Sequence, residues 1–246
     1  MKRLALLSAL IIPLLIVTGF IVIDKARTDS NGLKVTFYKT PLVCNAAPEI
    51  GCGSRSKPAL LELEKNPTIK EAWLNRPGTV IAIVWKGEVQ TETVAKPIFD
   101  NNSIEFTELT KEDATPFRKT FRKENLWYRG ANVDALSREE AATIAESSVK
   151  WALENKLINE DEANKIKADV EAYFKKELVR LRTNEQLNDD SENKFKEALY
   201  NIAEKYIGKE RAEKAMELYK ENCEKQCKKD GSCTQPGTKK DCCKHD

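Results

Sequence analysis

Hydrophobic positions fall along this chain in four regimes. Met1-Lys2-Arg3 is followed by an uncharged apolar run from Leu4 to Ile23, LALLSALIIPLLIVTGFIVI, which Asp24, Lys25 and Arg27 end abruptly. About 20 apolar residues are enough to cross the hydrocarbon core of a bilayer as a helix. The run is longer than the ~7–15-residue apolar region of a cleaved signal and has no clean small-x-small site after it. Residues 1–27 therefore read as a membrane anchor, with a signal segment as the alternative. Lys2 and Arg3 on so short a tail keep the N-terminus inside, which places the body outside the cytoplasm, periplasmic or extracellular.

The second regime covers residues 34–110, after a polar Asn-Gly linker at 28–33. KVTFYKTPLV, from Lys34, predicts a strand by alternation and β-branched or aromatic content. Ser54 to Lys65 predicts a helix with Ser54 or Ser56 as cap and Pro58 in its first turn. Ile69 to Leu74 alternates weakly. Arg76-Pro77-Gly78 is a turn, and Thr79 to Lys86, TVIAIVWK, is a strong strand. Glu92 to Phe99 predicts a short helix limited by Pro97, and Ser103 to Leu109 an edge strand. The order strand, helix, strand, strand, helix, strand predicts an α+β, ferredoxin-like βαββαβ domain.

The third regime begins with a polar stretch, residues 111–136, that reads as a connecting segment packing locally through Phe117, Phe121, Trp127 and Tyr128. Residues 137–222 then show helical apolar spacing: Ile144, Val149 and Trp151; Ile166, Val170, Tyr173 and Phe174; Leu199, Ile202 and Tyr206. Ser137-x-x-Glu140 and Asn159-x-x-Glu162 read as capping boxes starting two of the helices. A third helix starts near Asp190 or Ser191 and ends at Ile207-Gly208, and a fourth starts at Lys209. An antiparallel helical region is the expectation. The last regime, residues 223–246, has almost no apolar residue except cysteine and cannot build a core of its own.

Composition narrows the function. A charged fraction of 33% with a net charge of +2 gives no reason to expect a nucleic-acid partner. The single histidine, His245, lies next to the C-terminus, so no Ser/His/Asp set can be built in the body. No phosphate-binding glycine loop, G-x-S-x-G or H-E-x-x-H occurs. Asp134, Glu139, Glu140, Glu160, Asp161 and Glu162 sit at helix starts, where capping accounts for them.

The seven cysteines are the informative residues. Cys44 ends the first strand, and Cys52 lies just before the first helix. A thiol at a helix N-terminus feels the positive end of the macrodipole, so a lowered pKa is expected for Cys52. Cys44 can reach it across the loop NAAPEIG. The other five, Cys223, Cys227, Cys233, Cys242 and Cys243, join His245 in the tail. A dense set of soft donors in a polar segment is a compositional sign of metal binding, although the spacing matches no standard zinc finger. Disulfides are the competing reading for both sets, and an odd total leaves one thiol over unless chains cross-link.

Cys52 through Trp85, CGSRSKPALLELEKNPTIKEAWLNRPGTVIAIVW, resembles the central part of heavy-metal-associated domains, the family of periplasmic mercury-binding proteins and copper chaperones. Asn66-Pro67-Thr68-Ile69 matches that family's turn, Lys70 to Asn75 its next strand, and Thr79 to Trp85 the partner strand. Cys52 falls where the first ligand cysteine of the family's C-x-x-C belongs. Arg55 stands in place of the second. The resemblance, over residues 34–109, implies capture or hand-over of a soft ion, Cu(I) or Hg(II), by cysteine thiolates, with Cys44 in place of the missing ligand. A metal transporter or other metal-exchange protein is then the implied partner. The alternatives are a thioredoxin-like thiol-disulfide protein, the one enzymatic reading, and a disulfide-stabilised structural or interaction protein.

Overall fold

A computed structural model describes residues 34–187 and 189–230; the expected anchor lies outside the described residues. The architecture is α+β: a five-stranded antiparallel sheet with helices. In chain order the elements are β1 (Lys34–Lys39), a two-stranded hairpin of β2 (Val43–Cys44) and β3 (Ala47–Gly51), α1 (Gly53–Lys65), β4 (Ile69–Asn75), β5 (Val80–Trp85), α2 (Lys96–Asn101) and β6 (Thr107–Glu108). These are followed by α3 (Lys111–Thr120), β7 (Trp127–Arg129), α4 (Val133–Glu154), α5 (Glu160–Arg180), α6 (Asp189–Ile207) and α7 (Lys209–Asp230). The sheet order is β6-β1-β5-β4-β7.

β5 shows why the sheet is central. All six residues, VIAIVW, are buried. Side chains alternate between faces along a strand, and two apolar clusters divide them accordingly. Ile81, Ile83 and Trp85 face the large core with α1, α2, α4 and α5, whereas Val80, Ala82 and Val84 face a smaller one with Phe37, Ala114 and Trp127. The smaller core is an aromatic cluster: Phe121 meets Phe37, Trp73 and Trp127 edge-on at centroid distances of 5.6, 5.9 and 5.4 Å. These edge-to-face contacts add to the area they bury.

Residues 111–136 do more than connect. α3 carries Ala114 and Phe117 onto the second face, and β7 pairs with β4 through Trp73↔Arg129 and Asn75↔Trp127. The expected strand at 103–109 shrinks to β6, because its first residues finish α2 instead: Ser103 and Ile104 donate backbone hydrogen bonds to Asp100 and Phe99. The first helix starts at Gly53 with Cys52 as its N-cap, so neither Ser54 nor Ser56 caps it and Pro58 lies inside it.

α4 begins at Val133, not at Ser137, after a tight turn at Gly130–Asn132. Ser137 is therefore a buried interior position of the helix, not a cap. Val133, Leu136, Glu140, Ala141 and Ile144 form the buried stripe that closes onto α1 and β3. The Asn159–Glu162 capping box is present in full, with Glu162 N–H donating to Asn159 Oδ1 at 3.0 Å and Asn159 N–H to Glu162 Oε2 at 2.9 Å. Buried Lys57 links three helices: its Nζ donates to the carbonyls of Leu178 and Val179 at the end of α5, at 2.9 and 3.2 Å, and pairs with Asp134 of α4 at 2.9 Å.

Candidate dithiol site

The site is built where the β2–β3 hairpin crosses the turn between β4 and β5. Leu42 N–H donates to the Gly78 carbonyl at 2.9 Å, Gly51 N–H to the Arg76 carbonyl at 2.7 Å, and Cys52 N–H to the Leu42 carbonyl at 2.7 Å. Gly78 has a φ of +74°, and a Cβ there would lie 2.2 Å from the Leu42 carbonyl oxygen. Only glycine supplies both the backbone angle and the space. The Pro-Gly turn read from the sequence thus fixes the loop that holds the cysteines.

Cys44 is buried at 5% exposure and Cys52 is half-buried; both are free thiols. The structure brings them to one corner: Val43 pairs with Gly51 across the hairpin, the Cys52 N–H donates to the Leu42 carbonyl, and Cys52 packs against the apolar cluster that contains Cys44. Ser54 Oγ is 3.4 Å from Cys52 Sγ. The expected lowering of the Cys52 pKa is overturned. The neighbouring Cys44 thiol and burial push it well above its ordinary value, and the Ser54 hydroxyl and the Arg55 N–H only partly oppose them. The helix-terminus effect, typically 0.3–1 kcal/mol, is smaller than such desolvation.

Glu140 is the functional residue that the sequence reading missed. At 1% exposure, its Oε2 accepts from the Gly53 N–H at 2.8 Å, next to Cys52. Burial, then the adjacent Cys52, raises its pKa well above the ordinary carboxylate range. Capping does not account for it, nor for Glu139, which accepts from Tyr128 Oη and from Arg76 Nε and so ties α4 to β7 and the β4–β5 turn. The signal available in the sequence was position: Leu136-x-x-x-Glu140-x-x-x-Ile144 puts a carboxylate on the apolar stripe. α4 fits closely here, since a Cβ on Gly53 would lie 2.6 Å from Ser137 Oγ.

The remaining cysteines divide. α7 continues to Asp230 and so contains positions 223 and 227, one helical turn apart, as the spacing predicts. Cys233, Cys242, Cys243 and His245 lie outside the described residues. Among the described residues, no group of three or more His, Cys, Asp or Glu side chains is placed to hold a metal ion, and no helix is long and apolar enough to cross a membrane. Comparison with protein-family models, with curated proteins and with solved structures finds no match to this chain.

Proposed function

We propose that this chain is a membrane-anchored, extracytoplasmic protein that binds or hands over a soft metal ion, Cu(I) or Hg(II), through cysteine thiolates. The ion is its cargo. The observation that carries the reading is that Cys44 and Cys52, which come from a hairpin and a helix start, share one corner of the core. Two thiolates suit a two-coordinate soft ion, whereas structural zinc sites use four ligands.

The frame supports the same reading. Taken as β1, α1, β4, β5, α2 and β6, the elements follow a βαββαβ order, and their strands lie in the order β6-β1-β5-β4. That order agrees with a ferredoxin-like sheet, the fold implied by the resemblance to heavy-metal-associated domains. In that frame Cys52 holds the first-ligand position at the start of α1. Cys44, delivered by the inserted hairpin, takes the place that Arg55 leaves empty. Metal binding displaces the thiol protons, so affinity rises with pH. The tail cysteines and His245 form a second set of donors for the same cargo, and a metal transporter or metal-exchange protein fits as partner.

Titration of the reduced protein with Cu(I) or Hg(II), against a competing chelator, tests this. Replacing Cys44 and Cys52 by serine is expected to remove one class of bound ion, and removing residues 223–246 another. Wild-type binding by both variants overturns the reading.

A further inference from the structure

The end of α5, the start of α6 and the short turn at Asn184–Gln186 between them enclose a hollow of about 200 Å³. The polar part of its wall has more donors than acceptors. Arg180 donates from Nε and Nη2 to Glu177 Oε2, at 3.1 and 2.6 Å, so these two charges balance and Nη1 is left over. Glu177 is the one carboxylate among the described residues that line the hollow. The Gln186 amide oxygen accepts from the Arg182 and Thr183 N–H groups, at 2.6 and 3.2 Å. Those two donors fix which end of the amide is oxygen, so the amide nitrogen has no acceptor in the turn. Lys194, exposed on the first turns of α6, makes no ion pair or hydrogen bond among the described residues. The lining therefore carries one positive charge in excess, together with unused donors.

The rest of the wall is apolar. Phe195 of α6 meets the Tyr173 ring at a centroid distance of 6.4 Å, and Leu181 at the end of α5 adds an aliphatic surface. An apolar cavity of about 150 Å³ holds a benzene ring, so this hollow has room for a ring and one small substituent. We propose that it binds a small organic carboxylate whose flat apolar group is about the size of a benzene ring. An ionised carboxylate offers acceptors only, and its bonds to Lys194 and Arg180 Nη1 are charge-assisted. The ring lies against Phe195, Tyr173 and Leu181. An inorganic anion would meet the donors but leave the apolar wall in contact with water. None of these residues belongs to the dithiol corner, so this site does not depend on the metal reading.

The test titrates the full chain with 4-fluorobenzoate, followed by fluorine NMR. One saturable site per chain is expected, with a Kd on the order of 1 mM or tighter, as suits so small a ligand. The neutral isostere 4-fluorobenzamide is expected to bind about tenfold more weakly, and so is 4-fluorobenzoate to Lys194→Gln. Lys194 is exposed and unpaired, so its replacement leaves the fold intact. Inorganic phosphate at the same concentration is expected to leave the bound fluorobenzoate in place. Absence of saturation overturns the site, and this readout needs no variant. Equal binding of the amide, or unchanged binding by Lys194→Gln, overturns the role of charge. Displacement by equimolar phosphate overturns the role of the apolar wall. The probe carries no sulfur and no metal, so the metal titration succeeds or fails independently.

Discussion

Glu140 shows how one residue can serve both the fold and the chemistry. Its carboxyl is the acceptor for the Gly53 N–H at the start of α1, a donor with no intrahelical partner. Replacement by leucine leaves that buried N–H unpaired, which costs about 1–3 kcal/mol. Glutamine keeps an acceptor of the same reach. Glu140→Leu is therefore expected to lower the thermal midpoint clearly more than Glu140→Gln. Equal losses would show that the Gly53 contact contributes nothing. The identity of Glu140 was visible in the sequence, but its role was not. Helix-start carboxylates are usually caps, and the position of the helix start was misread by four residues, Val133 in place of Ser137. The misreading followed from local chemistry: Ser137-x-x-Glu140 satisfies the pattern of a cap, and only burial of Ser137 against Gly53 shows that the helix has already begun.

At the scale of elements, the long helices are held partly by ion pairs whose strength depends on pH. Arg211 of α7 donates from Nη1 to Glu162 Oε1 and from Nη2 to Glu162 Oε2, both at 2.8 Å, and reaches the Leu157 carbonyl at 2.6 Å. The Arg211 guanidinium and the Asn159 backbone N–H hold the Glu162 carboxyl at about 2, below the ordinary 4.5. A depressed folded-state pKa stabilises the native state above the unfolded value, and that contribution is lost as pH falls from about 4.5 through about 2. Glu162→Gln is thus expected to lower the thermal midpoint at neutral pH, by a difference that shrinks steadily as pH falls from about 4.5 toward 2. A difference that does not shrink over that range would assign the effect to packing instead of charge. This contact was half legible in advance. The capping box is local and readable, whereas Arg211 lies 49 residues away and reaches it only through tertiary packing.

Across the whole molecule, sequence order and apolar alternation were enough to place β1, α1, β4, β5 and α2 near their observed positions, because each contains its own periodic signal. Pairing information was weaker. β7 is three residues long and pairs through a sheet edge, which no period reveals, and α3 belongs to the sheet because it covers Phe37 and Val84. The stretch read as a connector therefore supplies Ala114, Phe117, Phe121 and Trp127 to the second core. The dithiol itself was legible as two cysteines separated by one loop, but the hairpin that buries Cys44 and the helix that brings Glu140 to the Gly53 N–H depend on contacts distant in sequence. The central claim is that this corner holds a soft ion with two sulfurs. X-ray absorption of the Cu(I)-loaded full chain, with the five tail cysteines replaced by serine, measures that most directly. The account predicts one ion per chain with two sulfur neighbours, abolished by Cys52→Ser; a nitrogen- or oxygen-dominated shell, or binding that survives the loss of Cys44 and Cys52, would contradict it.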